Sequence, residues 1–268
     1  MGRAVRPAKA LGATGRKQKS DVAGQGACVA GAILTPGRRP AREGTLACAI
    51  ERSCYFAGMD IPAPATSKGA STRGMLLGRA CELAGKLGLE GVTIGELATA
   101  AGMSKSGVFA HFGSREDLVR QTLDWAATGF TARVMTPALQ RPRGLPRLQA
   151  MLDGWIDWIL AHPDGCVFLG AATEYDGRPG PMRDHVAALM QRWYQAVERA
   201  AGMAVEQGHL HAGTDPALLG FELHGLMYGL HHMRLHQPDD APRLARRAVQ
   251  TLFDRYRATD PGAPSSSP

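Results

Sequence analysis

The sequence predicts an all-α protein in which an N-terminal three-helix unit precedes a longer helical domain. Apolar residues recur at helical spacing from Thr72 onward, as at Leu76, Ala80, Leu83 and Leu87. Residues that begin or end helices interrupt this pattern at short intervals. No segment alternates apolar and polar residues as a half-buried strand does. With 268 residues, the chain is long enough for two domains with substantial cores.

Capping residues delimit the first helices. Thr93 and Glu96 have the spacing of a capping box, in which the threonine hydroxyl accepts a hydrogen bond from the amide three residues later. Gly102 can end this second helix in the left-handed conformation. Ser104 can cap a third helix, and Ser114 a fourth. The sequence therefore predicts two short helices within 93–112, joined by a tight turn.

The second part of the chain has longer apolar periods. Asp215 followed by Pro216 is a typical helix start, because aspartate caps and proline fits the first turn. The predicted helices cover 145–161, 166–175, 182–207, 215–236 and 241–258.

The positive charge is concentrated before the predicted helices. Of 31 basic and 24 acidic side chains, residues 1–66 hold 10 and 4, which is +6 of the net charge of +7. Their low content of large apolar residues predicts a disordered basic leader. The alternative is a basic arm that contacts DNA phosphates. We also hypothesise a gene-model extension, with translation starting at Met59 so that residues 1–58 are not made. A disordered tail is predicted for 259–268.

The five cysteines include no Cys-x-x-Cys pair, and three of them lie in the leader. This pattern favours reduced thiols in the cytoplasm, without a disulfide or a structural zinc. No cofactor is predicted. No apolar run approaches the roughly 20 residues of a membrane-spanning helix. We therefore expect a cytoplasmic protein with no membrane partner.

The stretch 93–112 has helix-turn-helix spacing. In such a unit the first helix crosses the DNA backbone and the second lies in the major groove. Here the second helix begins with Ser104, Lys105, Ser106 and Gly107, which are small or can contact phosphates and base edges. A generic helical hairpin would have the same spacing, so spacing alone leaves both interpretations open.

Residues 72–124 closely resemble the N-terminal domain of TetR-type transcriptional regulators. The matching segments are TIGELA at 93–98, AGMSKSGVFAHF at 101–112 and SREDL at 114–118. Segments 164–168 and 174–181 are similar to a C-terminal domain of some members. The resemblance implies a domain for DNA binding at 70–130 and a regulatory and dimerisation domain at 131–258. It also implies a homodimeric protein, usually a repressor, that a small molecule releases from double-stranded operator DNA.

Roles carried over from the family fall on eight residues. Thr93 would donate to a phosphate, and the start of the third helix would face the groove. Phe109 and His111 stand where the family often has tyrosine, and Phe109 lacks the hydroxyl that would bond a phosphate. Arg115 matches a usual lysine that reaches the DNA backbone. The full predicted set is Thr93, Ser104, Lys105, Ser106, Gly107, Phe109, His111 and Arg115.

The C-terminal helices supply the remaining predictions. Helix 215–236 is apolar on nearly all sides, and with helix 241–258 it is expected to form the dimer interface, although an intramolecular core would show the same pattern. An apolar pocket for a small-molecule effector is expected among Trp155, Phe168, Glu174, Trp193, His224, Met227 and Tyr228.

Other functions have weaker support. His224, His231, His232 and His236 have partly suitable spacing for a metal but lack matching cysteines or carboxylates, so no metal is predicted. An enzyme would have to use residues such as Asp164, Asp184 and His185, without a nucleophile elbow or a phosphate-binding loop. A helical interaction bundle that has lost DNA binding is the other alternative, favoured by Phe109. The sequence favours a ligand-responsive DNA-binding regulator.

Overall fold

The computed structural model describes residues 68–258, which form helices throughout. The helices are α1 (Lys68–Leu87), α2 (Ile94–Ala101), α3 (Lys105–Phe112), α4 (Arg115–Phe130), α5 (Thr136–Ala138), α6 (Leu145–Leu160), α7 (Val167–Tyr175), α8 (Pro181–Glu206), α9 (Pro216–Met233) and α10 (Ala241–Tyr256). Within the described range, the only β-type pairing is an isolated antiparallel bridge between Leu210 and Arg257. The all-α prediction is confirmed. The predicted leader 1–66 and tail 259–268 lie outside the described residues.

The predicted caps form as expected. The side-chain oxygens of Thr93, Ser104 and Ser114 accept hydrogen bonds from the amides of Glu96, Gly107 and Asp117, respectively. The Asp215 carboxylate accepts from two amides at the start of α9. Gly102 has φ of 62°, in the region where glycine avoids the penalty of a side chain. Local chemistry therefore sets where α2, α3, α4 and α9 begin.

The N-terminal helices surround a first hydrophobic core. Leu76 of α1, Leu97 of α2, Val108 of α3 and Leu118 of α4 are all fully buried in it. Residues of α7 and α8 complete the same core, among them Val167, Ala171, Tyr175, Val186 and Leu189. Through α1 and α4, the N-terminal helices thus pack directly against α7 and α8.

A second core lies among α6, α8, α9 and α10. Leu152, Ile156, Val197, Leu223 and Phe253 are at most 1% exposed there. Burial on this scale follows from the apolar stripe that each helix carries, because each stripe can leave water only against another helix. This core is the framework of the C-terminal domain.

The helical path continues beyond α4, where the sequence pattern predicts no element. Thr131–Met135 form a π-helical turn that joins α4 to α5, and the amide of Thr136 donates to the carbonyl of Thr131. Pro137 follows and has no amide hydrogen, so a regular helical hydrogen bond is missing at this point. Val134 and Met135 are buried in the second core. Tertiary burial therefore stabilises an irregular turn that local propensity does not predict.

No helix in the described range is both long enough and apolar enough to cross a membrane.

Substitution of Gly165 tests the close backbone packing between α1 and the loop before α7. A Cβ atom there would lie 2.5 Å from the carbonyl oxygen of Gly85, and Gly165 has φ of 150°. We expect Gly165→Ala to lower the free energy of unfolding by about 1–3 kcal/mol, from overpacking and backbone strain. Urea denaturation measures this change.

Gly170→Ala is the matched control, because nothing lies within 4 Å of a Cβ at this position in α7. Alanine is the better helix former, so this variant should be neutral or slightly more stable. Equal stability of both variants would contradict the packing at Gly85.

Candidate DNA-binding face and effector cavity

Helix α3 presents opposite chemistries on its two sides. Ser104, Lys105 and Ser106 are exposed to solvent, whereas Val108 and Phe112 are buried in the first core. The buried side fixes the orientation of the helix. The exposed start of the helix is polar and positively charged, which suits a helix that enters the major groove.

The polar groups at the start of α3 are organised around its cap. The Ser104 hydroxyl accepts from the Gly107 amide at 3.1 Å and lies 3.2 Å from the Ser106 hydroxyl. A Cβ atom on Gly107 would lie 3.1 Å from the Ser104 oxygen, so a larger residue would crowd the cap. Gly107 is partly buried. Gly107 would let the backbone of α3 come close to DNA, and it offers no side-chain contact.

Lys105 lies between the two motif helices. Its terminal methylene is close to Gly95 of α2, where a Cβ atom would come within 3.3 Å of it. Among the described residues, no carboxylate forms an ion pair with its ammonium group. The lysine can therefore bring a positive charge to a phosphate or to a guanine edge.

The predicted flanking contacts occupy the two ends of this face. The Thr93 hydroxyl accepts from Glu96 at 3.0 Å, which leaves its own hydrogen for an external acceptor. His111 is partly buried in the last turn of α3, with its ring 6.3 Å from that of Phe112. Phe109 is 54% exposed. Its ring can contact a thymine methyl or a sugar, but it cannot donate a hydrogen bond.

The structure gives Arg115, predicted to contact the DNA backbone, partners within the protein. Its guanidinium donates to the Glu90 carbonyl at 2.8 Å and to the Glu90 carboxylate at 3.0 Å, and it lies 3.4 Å from the Leu89 carbonyl. Arg115 thus holds the loop between α1 and α2, and a DNA phosphate would have to compete with these acceptors. The match of Arg115 to a family lysine does not reveal these partners, which lie 25 and 26 residues away in the sequence.

The structure also corrects the expectation for Glu174, which contacts the DNA-binding domain instead of the cavity. Its carboxylate accepts hydrogen bonds from the amides of Leu89 and Glu90, each at 2.8 Å. Gly88, with φ of 74°, allows this approach, since a Cβ atom would lie 3.1 Å from the carboxylate. Tyr175, the next residue, donates its hydroxyl to the Glu90 carboxylate.

We call Glu90, Arg115, Glu174 and Tyr175 the loop clamp. The Tyr175 hydrogen bond, followed by the charge of Arg115, holds the pKa of the Glu90 carboxyl below its usual value. Burial and the neighbouring Glu90 carboxylate raise the pKa of Tyr175, so its hydroxyl stays protonated and continues to donate. The loop clamp therefore ties α7 to the loop that precedes the helix-turn-helix.

An apolar cavity of about 60 Å³ lies in the C-terminal domain beside the end of α4. Helices α4, α6, α7 and α8 and the π-helical turn enclose it. The lining residues are Ala127, Phe130, Thr131, Met135, Trp155, Phe168, Leu169, Leu189, Met190, Arg192, Trp193 and Ala196.

The cavity includes three of the seven predicted pocket residues: Trp155, Phe168 and Trp193. His224, Met227 and Tyr228 do not line it, because they belong to α9, which contributes no lining residue. Sequence reasoning missed Phe130 and Arg192 among others. Arg192 precedes the predicted Trp193 directly, but only the rotation of α8 decides that both side chains reach the cavity.

His224 is 8% exposed and packs between aromatic rings. Its ring centroid lies 5.0 Å from that of Trp155 and 4.8 Å from that of Tyr194, and its Nδ1 donates to the Gly220 carbonyl at 2.8 Å. Burial lowers the pKa of His224, so the ring is neutral near pH 7. It is a packed histidine of the second core.

The residues considered for an enzyme or a metal do not converge. His185 bonds Asp124 at 2.8 Å, whereas Asp164 pairs with Lys86 at 3.6 Å, and Asp184 lies in the first turn of α8. In residues 68–258, no three histidine, cysteine or acidic side chains are grouped as metal ligands would be. His185 and Asp164 instead make separate contacts between elements.

Similarity to known proteins covers both parts of the chain. The family described as bacterial regulatory proteins, tetR family, matches residues 76–122. The family described as tetracyclin repressor-like, C-terminal domain, matches residues 144–249. None of the curated proteins matches the sequence significantly.

Several solved structures share the fold. A TetR transcriptional regulator from Chloroflexus aurantiacus aligns with a TM-score of 0.64 and 23% identity, over 72% of this chain and 99% of its own. A TetR-family regulator from Streptomyces coelicolor aligns with a TM-score of 0.61 and 24% identity, over 75% and 98%. AibR, solved with isovaleryl coenzyme A and operator DNA, aligns with a TM-score of 0.57 and 22% identity, over 68% and 98%.

The two matched domains stand in the order that the family has. The structure agrees with them, since it has a capped helix-turn-helix with an exposed polar face and a helical C-terminal domain around a cavity. The chain belongs to the TetR family of transcriptional regulators.

Proposed function

We propose that the protein is a homodimeric repressor that binds operator DNA through α3 and is released when a small molecule enters the cavity. One observation carries the proposal: α4 begins beside the exposed face of α3 and ends at the cavity wall, where Phe130 lines it. The solved structure of AibR, which holds both isovaleryl coenzyme A and operator DNA, supports a protein that binds both a small molecule and DNA. We place this activity in the cytoplasm, with the protein on the nucleoid when DNA-bound.

The DNA contacts follow from the chemistry of the motif. Ser104, Lys105 and Ser106 would reach base edges and phosphates, and Thr93 would donate to a phosphate at the start of α2. Phe109 would add an apolar contact. Each neutralised phosphate releases counterions, so the affinity should fall steeply with salt concentration.

Coupling between the sites would run through α4 and the loop clamp. A ligand that displaces the π-helical turn would shift α4, whose first residues follow α3 directly. The clamp holds the loop before α2 against α7, which also lines the cavity through Phe168. Both connections convert a change at the cavity wall into a change in the orientation of the helix-turn-helix.

The dimer contact would use the outer side of α9 with α10. Leu218 and Phe221 are 50% and 68% exposed, although their neighbour Leu223 is fully buried in the second core. Gly225 is also exposed, and nothing lies within 4 Å of a Cβ there. Leu244 of α10 is 37% exposed. An apolar face with a glycine at its middle suits close packing against a second copy.

The DNA-binding face can be tested with Lys105→Ala and Ser106→Ala. Each variant should lose about 1–3 kcal/mol of operator binding, because phosphate or base-edge contacts disappear. Fragments selected from genomic DNA, including the region upstream of the gene, supply the operator for gel-shift titration. Circular dichroism should report unchanged folding, since both side chains are exposed.

Arg243→Ala is the control for charge, because Arg243 is an exposed cation of α10 paired with Asp240. It should bind DNA as the wild type does. Failure of the wild-type protein to select any sequence would instead favour an interaction bundle without specific DNA binding.

The loop clamp can be tested with Glu174→Ala, which leaves the amides of Leu89 and Glu90 without their acceptor. We expect a loss of about 1–3 kcal/mol in unfolding free energy and weaker operator binding, although Glu174 does not lie on the α3 face. Glu206→Ala removes an exposed carboxylate at the end of α8 and should change neither quantity. Unaltered DNA affinity in Glu174→Ala would exclude the clamp from coupling.

The dimer face can be tested with Phe221→Glu, which places a charge in the expected apolar contact. Sedimentation equilibrium should show the wild type as a dimer and the variant as a monomer at micromolar concentration. Met75→Glu changes a residue of α1 that is 46% exposed, and this control should remain dimeric. A monomeric wild type would refute the interface.

A further inference from the structure

The second turn of α3 presents apolar side chains to solvent. Phe109 is 54% exposed and Ala110 is exposed as well, whereas Val108 and Phe112, which flank them in the sequence, are buried. Within residues 68–258, Phe109 belongs to neither hydrophobic core. The packing of the fold therefore does not account for a large apolar side chain at this position.

The exposed surface of α3 changes its chemistry from one turn to the next. Lys105 lies four residues before Phe109, and Ser106 lies four residues before Ala110, so each pair is stacked along the helix. The first member of each pair can donate a hydrogen bond, whereas the second has no side-chain donor or acceptor. One short helix thus offers polar groups at its start and an apolar surface one turn later.

The base edges in the major groove include one distinctive apolar group, the 5-methyl group of thymine. The other distinguishing groups there are hydrogen-bond donors and acceptors. An aromatic ring placed against those groups would exclude water without replacing its hydrogen bonds, which costs free energy. A ring placed against a methyl group removes apolar surface of both partners from water. An apolar turn in the groove therefore favours a methylated pyrimidine and disfavours other base edges.

Small side chains next to Phe109 allow α3 to come close to the bases. Ser106 and Ala110 are both exposed and short, and Gly107 has no side chain. A bulky residue at position 110 would hold the helix away from the floor of the groove. With alanine there, the alanine methyl and the neighbouring ring of Phe109 can both reach a group that projects from a base edge.

We propose that Phe109 and Ala110 recognise the 5-methyl group of a pyrimidine in the operator. Thymine supplies this group in unmodified DNA, and 5-methylcytosine carries the same group. Each half-site of the operator then contains at least one pyrimidine whose methyl group contributes to affinity. The inference rests on the proposed function, because it requires α3 to lie in the major groove.

Removal of single methyl groups from the DNA tests the proposal. In the operator selected from genomic fragments, each thymine is replaced in turn by deoxyuridine, which lacks only the 5-methyl group, and binding of the full chain is titrated by fluorescence anisotropy. At one or two positions in each half-site the affinity should fall about fourfold, as expected for the loss of one buried methyl group. Equal affinity for thymine and deoxyuridine at every position would overturn the proposal.

Cytosine and 5-methylcytosine, placed at the sensitive position, separate the methyl group from the rest of the thymine ring. The methylated base should bind more tightly than cytosine, by about the same factor. If methylation of cytosine gives no gain, the protein reads another feature of thymine and the proposal fails.

Variants of α3 assign the contact through the ratio of affinities for the thymine and deoxyuridine operators. Phe109→Ala should lower this ratio to less than twofold, and Ala110→Ser should lower it as well, because a hydroxyl next to a methyl group loses contact with water. Lys105→Ala is the matched control from the first turn, and it should weaken binding to both operators equally. An unchanged ratio in Phe109→Ala would place the ring against a sugar and overturn the proposal, and an unchanged ratio in Ala110→Ser would remove Ala110 from the contact.

The same measurements separate this proposal from the proposed function. If the wild type selects an operator that tolerates deoxyuridine at every position, the regulator stands and methyl recognition alone is refuted. If the wild type selects no sequence, both proposals are refuted, because no base edge is then read. If methyl groups matter and the dimer or the effector experiments fail, recognition of the methyl group stands without the repressor mechanism.

Discussion

The structure depends on one helix that belongs to two hydrophobic cores. Leu118, Val119 and Leu123 of α4 are buried in the first core, and Phe130 is buried two to three turns later among the aromatic residues of the C-terminal domain. Because interiors are close-packed, neither end of α4 can move without repacking its own core. The two domains are therefore mechanically connected rather than joined by a free linker.

Hydrogen bonds reinforce this connection at a second place. Glu174 and Arg115 both hydrogen-bond to the backbone of the loop between α1 and α2. The Glu174 carboxylate accepts from its amides, and the Arg115 guanidinium donates to its carbonyls. Tyr175 joins the two through Glu90. Removal of one member would leave polar groups unpaired at a partly buried interface, which costs more than the bond itself contributes. The clamp thus joins α7 to the loop that precedes the helix-turn-helix.

The proposed DNA recognition rests on geometry more than on net charge. The net charge of the chain is +7, but residues 1–66 account for +6 of it. Residues 68–120 hold 7 basic and 5 acidic side chains. One of those basic groups, Arg115, is directed to the loop clamp. The exposed hydroxyls and single lysine of α3 must then be placed accurately, and the burial of Val108 and Phe112 provides that placement. The cavity also has few charged groups, because Arg192 is the one charged residue in its lining.

The sequence by itself determined the helical class, the starts of α2, α3, α4 and α9, and the exposed polar start of α3, because caps and apolar periodicity act over a few residues. Three of the aromatic residues that it proposed for a pocket, Trp155, Phe168 and Trp193, line the cavity. Only the tertiary structure decided that Arg115 and Glu174 meet the same loop, that α9 stays outside the cavity lining, and that helix continues through Thr131–Met135. The first of these features arises from contacts between residues 25 to 85 positions apart, and all three depend on packing rather than on local propensity.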